Sequence, residues 1–319
     1  MARLKRGGAR VPSGRFRLGH TVFGCAAFVL IWWLFSQRIA EVEWASVPAA
    51  LASVAPLTVL LALALAGLSY AAMAAYDVIA VEMLGHRVPA RRAMRAGFTA
   101  TALGQTLGLA VVVGSAVRWR HYRRHGLGPG ACSILTGTVS SGFMLALALV
   151  FAIFLWSEAG RLAPIAGLSP EAATTLSVAI LASGVALFLL SWMRPRIGRW
   201  RVPVPPLAPL LRMGALALID ILPAAAILWL LLGSGVTYAE VLPVFAVALG
   251  LSLLANTPGG IGTYEVVCLT AWPALGEEQV LAALILFRVI FYVLPAAVAA
   301  TLLFFDTGAP KTRENTAST

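Results

Sequence analysis

Apolar runs long enough to cross a bilayer recur along the chain at about 20–36, 56–81, 130–156, 172–192, 207–232 and 279–305, each bounded by charged or Pro/Gly-rich residues. About 20 apolar residues in a helix match a hydrocarbon core about 30 Å thick, so these runs predict six spanning helices. Two further stretches are apolar but broken. The first, 97–117, is studded with Thr99, Thr101, Gly104, Gln105, Gly108 and Gly114. The second, 241–273, is apolar from Val241 to Ala255 and from Val266 to Trp272, with Asn256-Thr257-Pro258-Gly259-Gly260-Ile261-Gly262-Thr263-Tyr264-Glu265 between. Proline cannot donate to a helix ladder and glycine accepts the dihedrals of a reversal, so both stretches predict broken helices. At membrane depth such a break survives only where it is buried in protein or lines a wet cavity. A plain loop between two spanning helices is the blander reading.

Charge along the loops decides how the broken stretches run. Basic clusters fall at Arg3–Arg17, Arg87–Arg95, Arg118–Arg124 and Arg194–Arg201, whereas the loops between them hold only Arg38 and Arg161 of the 24 Lys+Arg. Basic loops stay in the cytoplasm. If 97–117 crossed completely, Arg118, Arg120, Arg123 and Arg124 would lie outside; a hairpin that enters and leaves from the cytoplasmic face avoids this. For Lys311 and Arg313 to end inside, 241–273 must begin and end outside. The expected fold class is therefore all-α: a polytopic integral membrane protein of about six spanning helices plus two opposed re-entrant helical hairpins, an inverted-repeat, transporter-like arrangement. The expected organisation is a basic cytoplasmic tail at 1–20, a single transmembrane domain at 21–305 and a flexible cytoplasmic tail at 306–319.

Composition agrees. The 319 residues are 60% hydrophobic and 12% charged, with a mean hydropathy of +0.88, which excludes an ordinary soluble domain. The net charge of +11 reads as membrane topology and anionic-lipid contact, not as nucleic-acid binding. The N-terminal apolar run lacks a clean small-x-small site and reads as an uncleaved first span. Cys25, Cys132 and Cys268 share no paired spacing and read as small buried hydrophobes. His121 and His125 have i,i+4 spacing but enclose two arginines and no glutamate, so no metal site is expected. No phosphate loop, nucleotide fingerprint or serine elbow appears, and neither a catalytic set nor a cofactor is expected.

Four ionisable residues lie deep in apolar sequence and need partners: Asp77, Asp220, Glu265 and Arg288. Arg288 with Glu265 and Arg118 with Asp77 are the expected pairs. Static pairs that hold helices together are one reading. The functional reading gives Arg118, Arg288 and the amides around Gly259, Gly260 and Gly262 to a phosphate, with Glu265, Asp77 or Asp220 meeting a cationic headgroup or a coupling proton. Tyr122, Tyr264 and Tyr292 are expected at headgroup level. Tyr76, Gln105, Asn256 and Pro258 complete the candidate transport site.

Tyr76-Asp77, then Gly114-Ser115-Ala116-Val117-Arg118 with Tyr122, then Pro258-Gly259-Gly260-Ile261-Gly262-Thr263-Tyr264-Glu265, then Arg288-Val289-Ile290-Phe291-Tyr292-Val293-Leu294-Pro295 occur in that order. In this the chain resembles the lysylphosphatidylglycerol synthase transmembrane-region family, the flippase-like domain of the multiple peptide resistance factor. The resemblance covers about 21–305 and implies a bacterial inner-membrane protein that moves a phospholipid between leaflets, with both termini cytoplasmic. The aminoacyl-transferase domain of larger members has no counterpart before Thr319, so a non-enzyme is expected. Membrane phospholipids are the expected partners; a homodimer and a separately encoded lipid-modifying enzyme stay open, as does a scaffold that transports nothing.

Overall fold

The computed structural model describes residue 52 and residues 54–305, except 109, 166, 194, 195, 198, 199 and 202–204. The expected first span, the two tails and Cys25 lie outside these residues. Eleven α-helices form the described fold: α1 (Pro56–Met83), α2 (Ala90–Leu107), α3 (Ala110–Tyr122), α4 (Pro129–Ser157), α5 (Ala159–Ile165), α6 (Pro170–Met193), α7 (Leu207–Leu232), α8 (Tyr238–Ala255), α9 (Thr263–Ala271), α10 (Glu277–Arg288) and α11 (Leu294–Phe305). A two-residue antiparallel pair, β1 (Arg196–Ile197) with β2 (Trp200–Arg201), and the short helix α5 are the elements the apolar pattern did not predict.

Among the described residues six helical stretches are long and apolar enough to cross a membrane: α1, α4, α6, α7 with the following turn, α8, and α10 through α11. Five coincide with expected spans. The sixth is α8, the first arm of the second broken stretch, which was expected to be half of a hairpin. Packing ranks these helices. Only 11% of the apolar window of α6 is buried, against 56% for α7 and for α8, so α6 is a peripheral helix whose Phe188, Leu189 and Trp192 are left to lipid. At the centre α1 lies along α7. The buried positions Ala62, Ala66, Ser69, Met73, Tyr76 and Ala80 recur at helical spacing on α1, and Ala217, Ile221, Ala224 and Leu228 do so on α7. Lipid offers apolar side chains as good a solvent as protein does, so close backbone approach across small residues must supply the association.

Both broken stretches fold back on themselves. α2 ends at Gly108, which takes the left-handed conformation (φ 72°) that stops a helix at little steric cost to glycine. α3 then returns antiparallel: an added Cβ on Gly104 would stand 3.0 Å from Ala110, and the Tyr122 hydroxyl reaches the Ala93 carbonyl at 3.3 Å. In the second hairpin, α8 ends at Asn256 (φ 55°) and α9 starts after Gly259, Gly260 and Gly262, all at positive φ. The two tips touch. A Cβ on Gly108 would lie 2.7 Å from the ring of Pro258, so glycine is what lets the tips meet.

Contacts also sort the loops into two ends. Arg212 pairs with Glu82 at 3.2 Å, Arg95 donates to the Leu302 carbonyl at 2.9 Å and Arg120 donates to the Leu303 carbonyl at 2.8 Å. The open base of the first hairpin therefore shares an end with the last turn of α1, the start of α7 and the C-terminus of α11. At the opposite end, Arg161 pairs with Glu158 at 3.3 Å and reaches Glu240 at 3.9 Å, and Gln279 donates to the Leu232 carbonyl at 2.6 Å. The second hairpin opens there.

Candidate functional site

The first charged centre sits between α1 and the first hairpin. Arg118 donates through Nε to both Asp77 carboxylate oxygens at 3.0 Å and through a terminal nitrogen to Oδ1 at 2.7 Å. Its other terminal nitrogen donates to Thr136 Oγ1 at 3.2 Å, and the Tyr122 hydroxyl donates to Asp77 Oδ2 at 2.8 Å. Asp77 is 0% and Arg118 3% exposed. Two glycines give this pair its seat: a Cβ on Gly97 would meet the Ala74 carbonyl at 2.7 Å and Asp77 Cβ at 3.0 Å, and one on Gly114 would meet the Arg118 guanidinium at 3.0 Å. The expected pairing is present, but it is closed. Arg118 is turned to Asp77 and Thr136, and in this conformation it presents no surface to a lipid phosphate.

The second centre sits at the tip of the other hairpin. Arg288 and Glu265 form a fork-on-fork pair, one arm of which measures 2.7 Å. Arg288 also donates to the carbonyls of Gly259 and Gly260, each at 3.3 Å, and Glu265 Oε2 accepts the Gly262 amide at 2.9 Å, closing the start of α9. Here the expectation of free amides is corrected for Gly260 and Gly262. The amides of Gly260 and Ile261 are given to Thr257 and Pro258, and that of Gly262 to Glu265. What the tip turns outward is carbonyl, which binds a cation, and Arg288 is that cation. At 18% exposure, Arg288 is the more accessible arginine of the two pairs.

Asp220 is the third centre, midway along α7 and 3% exposed. Ser69 of α1 donates to its Oδ1 in a short contact. Among the described residues no arginine or lysine pairs with it. A charged side chain at the bilayer centre costs about 2.5–3.5 kcal/mol on insertion scales, which the other two carboxylates offset with a guanidinium.

Other expected site residues scatter around these centres. Tyr122, Tyr264 and Tyr292 were expected at headgroup level but are 0%, 1% and 6% exposed. They serve the interior: Tyr122 satisfies Asp77, while Tyr264 and Tyr292 join Phe245, Phe287 and Phe291 in an aromatic cluster whose Phe287 and Phe291 rings stack at 5.2 Å. Tyr76 is buried beside Asp77 in sequence, yet its hydroxyl has no partner among the described residues, and Gln105 directs only its Nε2, toward Met73 Sδ at 3.8 Å. Asn256 supplies the left-handed end of α8, and Pro258 the contact with Gly108.

The chain also uses groups that apolar pattern and charge could not single out. Val289–Val293 is a π-helical turn. Pro295 has no N–H to give the Phe291 carbonyl four residues back, and the Tyr70 hydroxyl takes that place at 2.8 Å. Thr106, at the first hairpin's tip, reaches the Tyr292 carbonyl at 3.3 Å. π-Turns of this kind recur at functional sites. Pro295 was the only sequence signal for it.

Comparison with known proteins agrees with this architecture. The lysylphosphatidylglycerol synthase TM region profile matches residues 19–299. The chain is 26% identical over 291 residues to the uncharacterized protein slr0712 of Synechocystis, covering 88% of each chain. It is 26% identical over 301 residues to the inner membrane protein YbhN of Escherichia coli, covering 89% of this chain and 91% of that one. It is 24% identical over 260 residues to the phosphatidylglycerol lysyltransferase of Staphylococcus aureus, where the match takes 76% of this chain but 28% of the relative. The likeness thus extends through nearly all of two relatives and through a part of a third. With six helices of spanning length and a family match over most of its residues, the chain is a multi-pass membrane protein and belongs to the lysylphosphatidylglycerol synthase transmembrane-region family.

Proposed function

We propose that this protein is a flippase-like transporter of the bacterial inner membrane that moves a lipid with an anionic or aminoacylated headgroup between leaflets, and that both hairpins are re-entrant. The observation that carries this reading is the contact of the two hairpin tips at Gly108 and Pro258, with the hairpins opening to opposite ends of the molecule. Broken helices that meet from opposite faces build binding sites at the midplane of transporters, because they bring polar backbone and charged side chains to a depth where lipid offers neither. Arg288 is the headgroup contact of first choice. It is partly exposed, and a phosphate can compete with Glu265 for its fork. The staphylococcal relative is named for lysyl transfer to phosphatidylglycerol, which points to that lipid class as the cargo to try first.

Purified protein in liposomes containing fluorescent phosphatidylglycerol or lysylphosphatidylglycerol tests the reading. Lipid exchange between leaflets that Arg288→Ala abolishes supports it. Folded protein that moves none of these lipids overturns it.

A second reading, a scaffold for envelope-modifying enzymes that transports nothing, draws on the exposed arginines Arg91, Arg92 and Arg123 at the base of the first hairpin. It predicts that Glu265→Gln and Arg288→Ala leave the cellular phenotype intact while replacement of Arg91, Arg92 and Arg123 together abolishes it.

A further inference from the structure

Among the described residues three carboxylates lie deep, and two of them have a guanidinium. Asp77 and Glu265 are bound in ion pairs; Arg118 donates further to Thr136, and Arg288 to the carbonyls of Gly259 and Gly260. Asp220 has one hydrogen-bond partner among the described residues, the hydroxyl of Ser69. An isolated carboxylate so deeply buried is held neutral or must borrow a positive charge, because neither protein interior nor lipid solvates the anion.

The surroundings of Asp220 suit a proton. The titratable groups within electrostatic reach are the hydroxyls of Tyr70 and Tyr76 on α1 and of Tyr292 on the π-turn. The other helices packed on α7 bring no counter-charge. α4 carries only Cys132, beside Asp77 and Arg118; α6 carries only Glu171, in its first turn. On α8, Tyr238 donates to the Leu222 carbonyl and Glu240 is bound to Thr237; on α10, Glu277 and Glu278 start the helix and Arg288 is bound to Glu265. One buried hydroxyl within that reach, Tyr76, has no hydrogen-bond partner among the described residues. An ionised Asp220 accepts from Ser69. A protonated Asp220 gains an O–H, and the unpartnered Tyr76 hydroxyl oxygen gives that O–H somewhere to point. A phenol hydroxyl can accept from the neutral form or donate to the anion, so it can follow the carboxyl through both states.

We propose that Asp220 is the proton-binding site of this protein, alternating between an ionised form held by Ser69 and a neutral form that donates toward the Tyr76 hydroxyl oxygen. The step is a proton uptake and release on one carboxylate oxygen, with no other bond made or broken. Coupling of that proton to lipid movement rests on the function proposed above, and the two claims are separable by experiment.

Infrared titration of the purified protein reads the site directly. The wild type is expected to show the carbonyl band of a protonated carboxyl that disappears as pH rises. The band is expected to be lost in Asp220→Asn and to persist to higher pH in Ser69→Ala, which removes a donor that favours the anion. A band unchanged in both variants overturns the proposal, and Ser69→Ala alone decides it if Asp220→Asn fails to fold. In liposomes, a pH gradient is expected to bias the leaflet distribution of fluorescent phosphatidylglycerol in the wild type. A sodium gradient that does so in its place overturns the assignment to a proton. A band that titrates as expected while no lipid moves leaves the proton site standing and overturns the lipid reading.

Discussion

Asp77 accepts from two guanidinium nitrogens and a phenol in a site closed to solvent, so the loss of either partner strands charge. Arg118→Ala leaves the carboxylate unpaired, and breaking a buried pair in this way costs about 3–5 kcal/mol. Tyr122→Phe removes one hydrogen bond to a charged group, about 1.5–3 kcal/mol. Thermal midpoints in detergent are expected to fall in the order Tyr122→Phe, then Arg118→Lys, then Arg118→Ala, because lysine restores charge without the planar fork. Equal losses in Tyr122→Phe and Arg118→Ala would refute the account. At the second pair, Arg288 is partly open to solvent and leans on carbonyls as well as on Glu265, so Glu265→Gln is expected to lower the midpoint less than Arg118→Ala does. Both pairs were legible in the sequence, since an isolated charge in an apolar run demands a counter-charge and few were on offer. Ser69 was not. A serine in a transmembrane helix satisfies itself on its own backbone as readily as it serves a distant carboxylate 151 residues away.

Elements meet here through glycines, and equal backbone strain with unequal space separates their roles. Gly85 and Gly108 share nearly the same φ, 73° and 72°, but an added methyl at Gly85 meets nothing within 4 Å and one at Gly108 meets Pro258. Left-handed backbone costs an alanine about 1–2 kcal/mol at either site. Gly108→Ala is therefore expected to cost measurably more than Gly85→Ala in denaturation midpoint, and to slow any lipid exchange. Equal effects would mean that the tips do not bear on one another. Gly97→Ala and Gly137→Ala make a second comparison within helices: the first drives a methyl into the Ala74 carbonyl beside Asp77, the second enters open space. Only Gly97→Ala is expected to reduce folded yield, read by size-exclusion chromatography of a fluorescent fusion. The breaks themselves were readable from Gly and Pro in apolar runs. The direction of the second tip's polarity was not, because a Gly-rich turn offers amides and carbonyls alike until its dihedrals choose.

The whole molecule has two chemically distinct ends and one midpoint. Arg95, Arg120 and Arg212 bind helix carbonyls and a glutamate at one end, where basic residues near a helix C-terminus also complement its dipole. Loop charge alone had marked Arg95 and Arg120 as signals of orientation; the structure also makes them, with Arg212, cross-links between segments far apart in sequence. Cysteines introduced at Gly128 and Gly160, both in open space, report the arrangement. With a basic cytoplasmic end, an impermeant maleimide is expected to label Gly160→Cys in intact cells and Gly128→Cys only after permeabilisation. Labelling of both from outside would refute the orientation.

The contacts of α1 also impose an order on biosynthesis. α1 leaves the ribosome with Asp77 unmet, and its partner Arg118 follows 41 residues later on the first hairpin. Ser69 waits longer, until α7 delivers Asp220, and Arg288, which clasps the glycine-rich turn, is made later still. Each arrival covers polar surface that the nascent chain would otherwise hold against lipid or the insertion machinery. Chains arrested before α7 are expected to be degraded quickly in a pulse-chase, and chains that include Arg288 to persist, so the interior of this protein is sealed in the order in which it is translated.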